Sequence, residues 1–158
     1  MLVLGIDPGT ASTGYGLVRS QGARFDAQLE GVIQTGPGVP VERRLAEIHA
    51  RVAELLDAHQ PDAVAVEQLY FGANVRTAFA VGQARGVVLL AAGQRGVPCR
   101  SYTPQQVKSA VCGHGRAGKD QVGRMVARLL GLEMVPAPDH AADALAVAAA
   151  PCATGARA

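Results

Sequence analysis

The 158-residue sequence contains no tryptophan and only three tyrosines and three phenylalanines, so an adjacent pair such as Tyr70-Phe71 stands out. Cysteine is also scarce. Cys99, Cys112 and Cys152 are odd in number and lack CxxC spacing, which argues against a disulfide framework or a zinc site and fits a reducing compartment. Neither sign of charge prevails: 15 Lys and Arg face 13 Asp and Glu, a net of +2. That balance does not announce a nucleic-acid binder, and a basic face has to come from placement. No apolar run approaches the ~20 residues that cross a membrane. The N-terminus has no basic segment and carries Asp7 inside its apolar stretch, unlike an export signal. The expectation is a cytoplasmic protein, neither exported nor membrane-spanning.

What the sequence does contain suffices for a core. Hydrophobic residues make up 49% and charged ones 18%, and a chain of this length buries roughly 70% of its unfolded surface in one domain. Residues 1–150 are expected to form that domain and residues 151–158 a frayed tail. The organising segment is the opening, Met1 to Gly16, where Leu2, Val3, Leu4 and Ile6 read as a short buried strand ending on Asp7 before a Pro8-Gly9 turn. Asp before Pro-Gly is an ordinary turn residue. The end of a buried strand is equally where α/β active sites aim a metal-binding carboxylate into a crevice.

Thr13–Ser20 and Ala23–Thr35 read as two further strands around Gln21-Gly22, so the chain begins with an antiparallel meander. After Gly36-Pro37-Gly38-Val39-Pro40, residues Val41, Leu45, Ile48, Val52, Leu55 and Leu56 share one face of a helix. His49 and His59 fall on that helix as solvated or capping residues. Asp62–Glu67 is a second buried strand ending on a carboxylate. Two such strands, parallel across a helical crossover, bring Asp7 and Glu67 to the same end of a sheet. A long Ala- and Gly-rich helix is expected over 74–94, with Gly82 and Gly86 one turn apart. Glycine there costs about 1 kcal/mol relative to alanine, so close packing is expected at both, on the sheet or against a second copy. A strand over 97–102, Thr103 as N-cap with Pro104 behind it, and helices to Cys112, over 120–130 and over 139–149 complete the chain.

The last helix opens Pro138-Asp139-His140-Ala141-Ala142-Asp143. His140 and Asp143 are three apart and Asp139 and Asp143 four apart, so each pair can share a face. Acidic residues in a first turn also serve as caps. The rest of the helix is Ala and Leu, which must press onto the sheet and turn the polar end towards Asp7 and Glu67. Oxygen ligands with water in the remaining positions suit Mg²⁺ or Mn²⁺, and a pair of such ions can hold the attacking and leaving oxygens of a phosphodiester hydrolysis. An imidazole ligand shifts the preference towards Mn²⁺.

Ile6-Asp7-Pro8-Gly9 with Thr13-Gly14-Tyr15-Gly16, Val66-Glu67-Gln68, Gly82-Gln83-Ala84-Arg85-Gly86, Gln106-Val107-Lys108 and Ala141-Ala142-Asp143-Ala144-Leu145-Ala146 follow one another in an order that resembles the RuvC family of Holliday junction resolvases. The resemblance covers nearly the whole chain. It implies a ribonuclease H-like α/β fold, a mixed five-stranded sheet with an antiparallel N-terminal meander flanked by helices. It also implies a homodimer that makes paired, symmetric, metal-dependent nicks in a four-way DNA junction during recombination and repair, and a branch-migration motor (RuvA and RuvB) as partner.

By position, the resemblance makes Asp7, Glu67 and Asp143 the metal-binding carboxylates and His140 the fourth ligand, where many members carry Asp; two ions per site are implied. Asp139 is the alternative to His140. Lys108 and Lys119 match family lysines near the scissile phosphate, Tyr70 or Phe71 an aromatic that stacks on bases, and Arg76 a phosphate contact. Two other motifs are weaker. Gly113-x4-Gly118-Lys119 has Asp120 where a phosphate-binding loop needs Ser or Thr, and it follows a helix. Asp7-Pro8-Gly9-Thr10 resembles the first phosphate loop of actin and hexokinase relatives, which need two such domains. The rival from another class is a non-catalytic junction- or RNA-binding module, which the filled ligand set disfavours.

Overall fold

The computed structural model of the chain describes residues 1–68 and 75–154, with side chains in the second span from residue 78. Five strands, β1 (Leu2–Asp7), β2 (Ser12–Gln21), β3 (Arg24–Gln34), β4 (Ala63–Glu67) and β5 (Cys99–Tyr102), form one sheet in the order β3-β2-β1-β4-β5. β1, β2 and β3 are antiparallel neighbours, turned at Gly22, whose positive φ of 61° suits a residue without Cβ. β4 runs parallel to β1 and β5 parallel to β4, as expected of strands joined through helices α1 (Val41–His59) and α2 (Val75–Gln94). Helices α3 (Pro104–Cys112), α4 (Lys119–Leu129) and α5 (Asp139–Ala153) follow β5. Thr103 caps α3 in a reciprocal box: its hydroxyl accepts from the Gln106 N–H at 3.1 Å, and its own N–H donates to the Gln106 side chain at 2.9 Å.

Strand alternation divides the core. Leu2, Leu4 and Ile6 of β1 and Val64 and Val66 of β4 face α1 and α2, packing with Ile48, Val52, Leu56 and Val88. Val3 and Ala65 face the other way and pack with Val107, Val126 and the run from Leu145 to Ala150. The sheet is thus covered on both faces, with α5 against the β1–β2 side.

Three expectations change. Val41 is exposed, as are Glu42 and Arg43 beside it in the first turn of α1. α5 continues through Ala153, so the tail does not begin at residue 151: Pro151 is buried, and the helix ends where the Thr154 hydroxyl donates to the Ala150 carbonyl at 3.0 Å. Burial of the last turn outweighs the missing proline N–H. Gly86 is exposed, with open space where a Cβ would stand, so among the described residues no packing on the sheet offsets it, and a second copy is the other surface expected there. Among the described residues no helix is long and apolar enough to cross a membrane.

Candidate active site

β1 and β4 pair in parallel register with Ile6 opposite Val66, so the next residues, Asp7 and Glu67, end adjacent strands side by side. Alternation does the rest. Asp7 has the parity of Val3, and Glu67 that of Ala65, so both carboxylates emerge on the face that α5 covers. The helix lies close because glycines receive it. A Cβ at Gly5 would collide with the Ala144 carbonyl, and one at Gly14 with the carbonyl of His140. Gly14 was quoted in the sequence only as part of a motif and Gly5 not at all; glycine inside a strand was the signal that another backbone approaches there.

The first turn of α5 is thereby set over the strand ends. His140 Nδ1 lies 2.8 Å from Asp7 Oδ2; with the hydrogen on Nδ1, the ring donates to the carboxylate and leaves Nε2 free. Asp7, His140 and Asp143 each offer a ligand atom within 4.8 Å of the others. Asp139 is outside that group. It points to Lys119, whose Nζ is 3.1 Å from Asp139 Oδ2 and 3.2 Å from Asp143 Oδ2. Helix phase separates the two candidates: His140 is about 100° round the axis from Asp139, whereas Asp143, one turn on, is close to the stripe of both. Glu67, Lys108, Lys119 and Asp143 line a common cleft of about 210 Å³, with Val107 and Val122 among its apolar walls. Tyr70 and Phe71 lie outside the described residues, as does the side chain of Arg76, in the first turn of α2.

The loop behind Asp7 is pinned by side chains that were given no role of their own from the sequence. The fully buried Thr13 hydroxyl donates to the Gly9 carbonyl at 2.7 Å, and Thr35 donates to the Thr10 carbonyl at 2.5 Å while accepting from Arg44 Nε at 2.8 Å. Buried threonines leave no periodic trace in a sequence, which is why only the coordinates reveal them.

Electrostatics mark the site as short of positive charge. Burial, then the neighbouring Asp7 and Asp143 carboxylates, push the Glu67 carboxyl up to about 7, with Lys119 only partly opposing. Burial also raises Asp143, against the pull of Lys119. A half-buried cluster of oxygen donors and one imidazole, strained by its own negative charge, fits a divalent cation both in donor chemistry and in charge.

A mixed sheet in this order, with acids on its central strand ends and on the helix laid across them, defines a ribonuclease H-like nuclease. Residues 3–151 match the family model for the crossover junction endodeoxyribonuclease RuvC. The RuvC proteins of Pelotomaculum thermopropionicum and Moorella thermoacetica are 55% and 56% identical over 148 residues, covering 94% of this chain and 90% and 89% of theirs. The Thermus thermophilus RuvC structure superposes with a TM-score of 0.91 at 44% identity, covering 98% of this chain and 95% of that one. The same protein in complex with a Holliday junction substrate gives 0.94. The chain belongs to the RuvC family. The yeast mitochondrial resolvase Ydc2, at 16% identity and a TM-score of 0.67, shares the fold.

Proposed function

We propose that this chain resolves four-way DNA junctions as a homodimer, hydrolysing two symmetric phosphodiester bonds with Mg²⁺ or Mn²⁺ held by Asp7, Glu67, His140 and Asp143. The observation that carries the reading is the convergence of Asp7, His140 and Asp143 from opposite ends of the chain within 4.8 Å. A bound divalent pair supplies a polarised scissile phosphate and a water acidic enough to attack it in line. The protein does the remaining work. Asp7, His140 and Asp143 would hold a cation together, with Glu67 beside Asp7 on the adjacent strand end. Glu67, its carboxyl held up by burial and its acidic neighbours, would release its proton to a cation bound there, and Asp7 fixes the orientation of the His140 ring. Lys119 and Lys108, on the wall of the cleft, stabilise charge growing on the phosphate.

Two equivalent cuts call for two-fold symmetry. α2 offers the surface: Phe79 is 69% and Leu90 53% exposed, and Gly86 between them is open. In this reading Tyr70 or Phe71 stacks on bases at the junction centre, Arg76 meets phosphate, the branch-migration motor (RuvA and RuvB) is the partner, and the compartment is the cytoplasm, where the DNA lies.

The test is cleavage of a synthetic four-way junction with a mobile core, beside linear duplex and single strand, in EDTA, Mg²⁺ or Mn²⁺. Symmetric nicks on the junction alone, dependent on metal and lost in Asp7→Asn, are expected. Tight junction binding with no cleavage under either metal would instead leave a non-catalytic binding module.

A further inference from the structure

We infer that Asp139 is a positioning residue for Lys119, holding its ammonium at the cleft when Asp143 is engaged by a cation. The inference rests on the catalytic reading above and assigns a role to a carboxylate which that reading leaves unused. Lys119 opens α4 and Asp139 opens α5, and Asp143 stands one turn further along α5. The Lys119 ammonium therefore bridges two carboxylates at nearly equal distance, 3.1 Å to Asp139 and 3.2 Å to Asp143. Only Asp143 shares the ligand cluster with Asp7 and His140. An ammonium paired with a metal ligand competes with the metal for it. If Asp143 were the sole partner, a cation binding there would release a long, 60% exposed side chain into solvent and remove its charge from the phosphate.

Asp139 removes that conflict. It lies outside the ligand group, stays free when the ions load, and keeps Lys119 beside the cleft it lines. Stability does not account for the pair: at 60% and 79% exposure it is screened by solvent and holds no core together.

The experiment is a double-mutant cycle on the full-length protein, with Asp139→Asn and Lys119→Met alone and together. Mn²⁺ binding is read by calorimetry and single-turnover junction cleavage at saturating metal. With Lys119 present, Asp139→Asn is expected to weaken Mn²⁺ binding and slow cleavage, each by about three- to fivefold, the scale of one exposed ion pair. The melting temperature should hold, and Asp139→Glu should restore both. In the Lys119→Met background the same change should alter both by less than about twofold. Equal losses in the two backgrounds overturn the inference, because Asp139 would then act on the metal without Lys119. If the unmutated protein bound no Mn²⁺ and cut no junction, the catalytic reading itself would fall.

Discussion

α2 and α5 are both rich in alanine and other apolar residues, yet they are packed in opposite ways. Every residue of α5 from Ala144 to Pro151 is buried, whereas α2 buries Ala84, Val88, Ala91 and Ala92 and leaves Phe79, Gly86 and Leu90 in the open. What separates them is the partner surface. α5 lies on strands whose glycines let its backbone sink to contact; α2 packs on the bulkier side, against Leu4, Ile6 and Ile48, and keeps an unmatched apolar face. Composition reports how much apolar surface a helix carries; the opposing strand decides how much of it this chain can cover.

The comparison is broken most severely where α5 is seated. Gly14→Val drives side-chain atoms into the His140 backbone, so α5 must lift and the ligand group must open. Junction cleavage should fall by more than about a thousandfold, and stability by about 1–3 kcal/mol from overpacking, read by single-turnover kinetics and chemical denaturation. A lesser break keeps the seat and removes the ligand: His140→Ala should reduce cleavage by about a hundredfold or more, while gel-shift binding of the junction in EDTA is retained. An active variant would remove His140 from the ligand set.

Metal should also set the pH dependence of stability. Because the folded protein raises Glu67 from an ordinary 4.5 to about 7, the metal-free fold loses stability as pH climbs from the unfolded value through the folded one. The loss is on the order of 3 kcal/mol at most. Thermal melts from pH 5 to 8 should show stability falling in EDTA, a gain on adding Mn²⁺ that grows over the same window, and a flatter metal-free profile for Glu67→Gln.

Changes on the α2 face should leave the chain folded and act on assembly. Leu90→Glu is expected to raise the dimer dissociation constant about tenfold or more, read by sedimentation, and to uncouple the paired nicks. Gly86→Ala is the finest probe. Below the dimerisation range it should stabilise the chain by about 0.5–1 kcal/mol, since the new methyl meets none of the described residues. If α2 pairs closely with its copy at this point, the same methyl weakens the dimer.

Most of the fold was legible in the sequence because its signals are local. Alternation marks β1 and β4, Thr103-Pro104 starts α3, and two strands ending in carboxylates predict their meeting. Asp7, His140 and Asp143 were legible as candidates but not as an arrangement. His140 and Asp139 are neighbours in the chain, and only helix phase over a particular seat turns one to Asp7 and the other to Lys119. The end of α5 was misjudged for a related reason: proline predicts a stop, but the burial that keeps Pro151 helical comes from distant strands.

One contact carries a consequence for the life of the protein before it is folded. The 2.8 Å pairing of His140 with Asp7 spans 133 residues, and the helix that supplies it also fills the core on that side of the sheet. As the chain leaves the ribosome N-terminus first, β1, β4 and their acids are made long before their partners. A growing chain thus has carboxylates without the imidazole and a sheet with one face bare, so cutting activity can begin only once α5 has been made. Such long-range closure is also slow to form, which makes the docking of α5 the step at which folding and chemical competence arrive together.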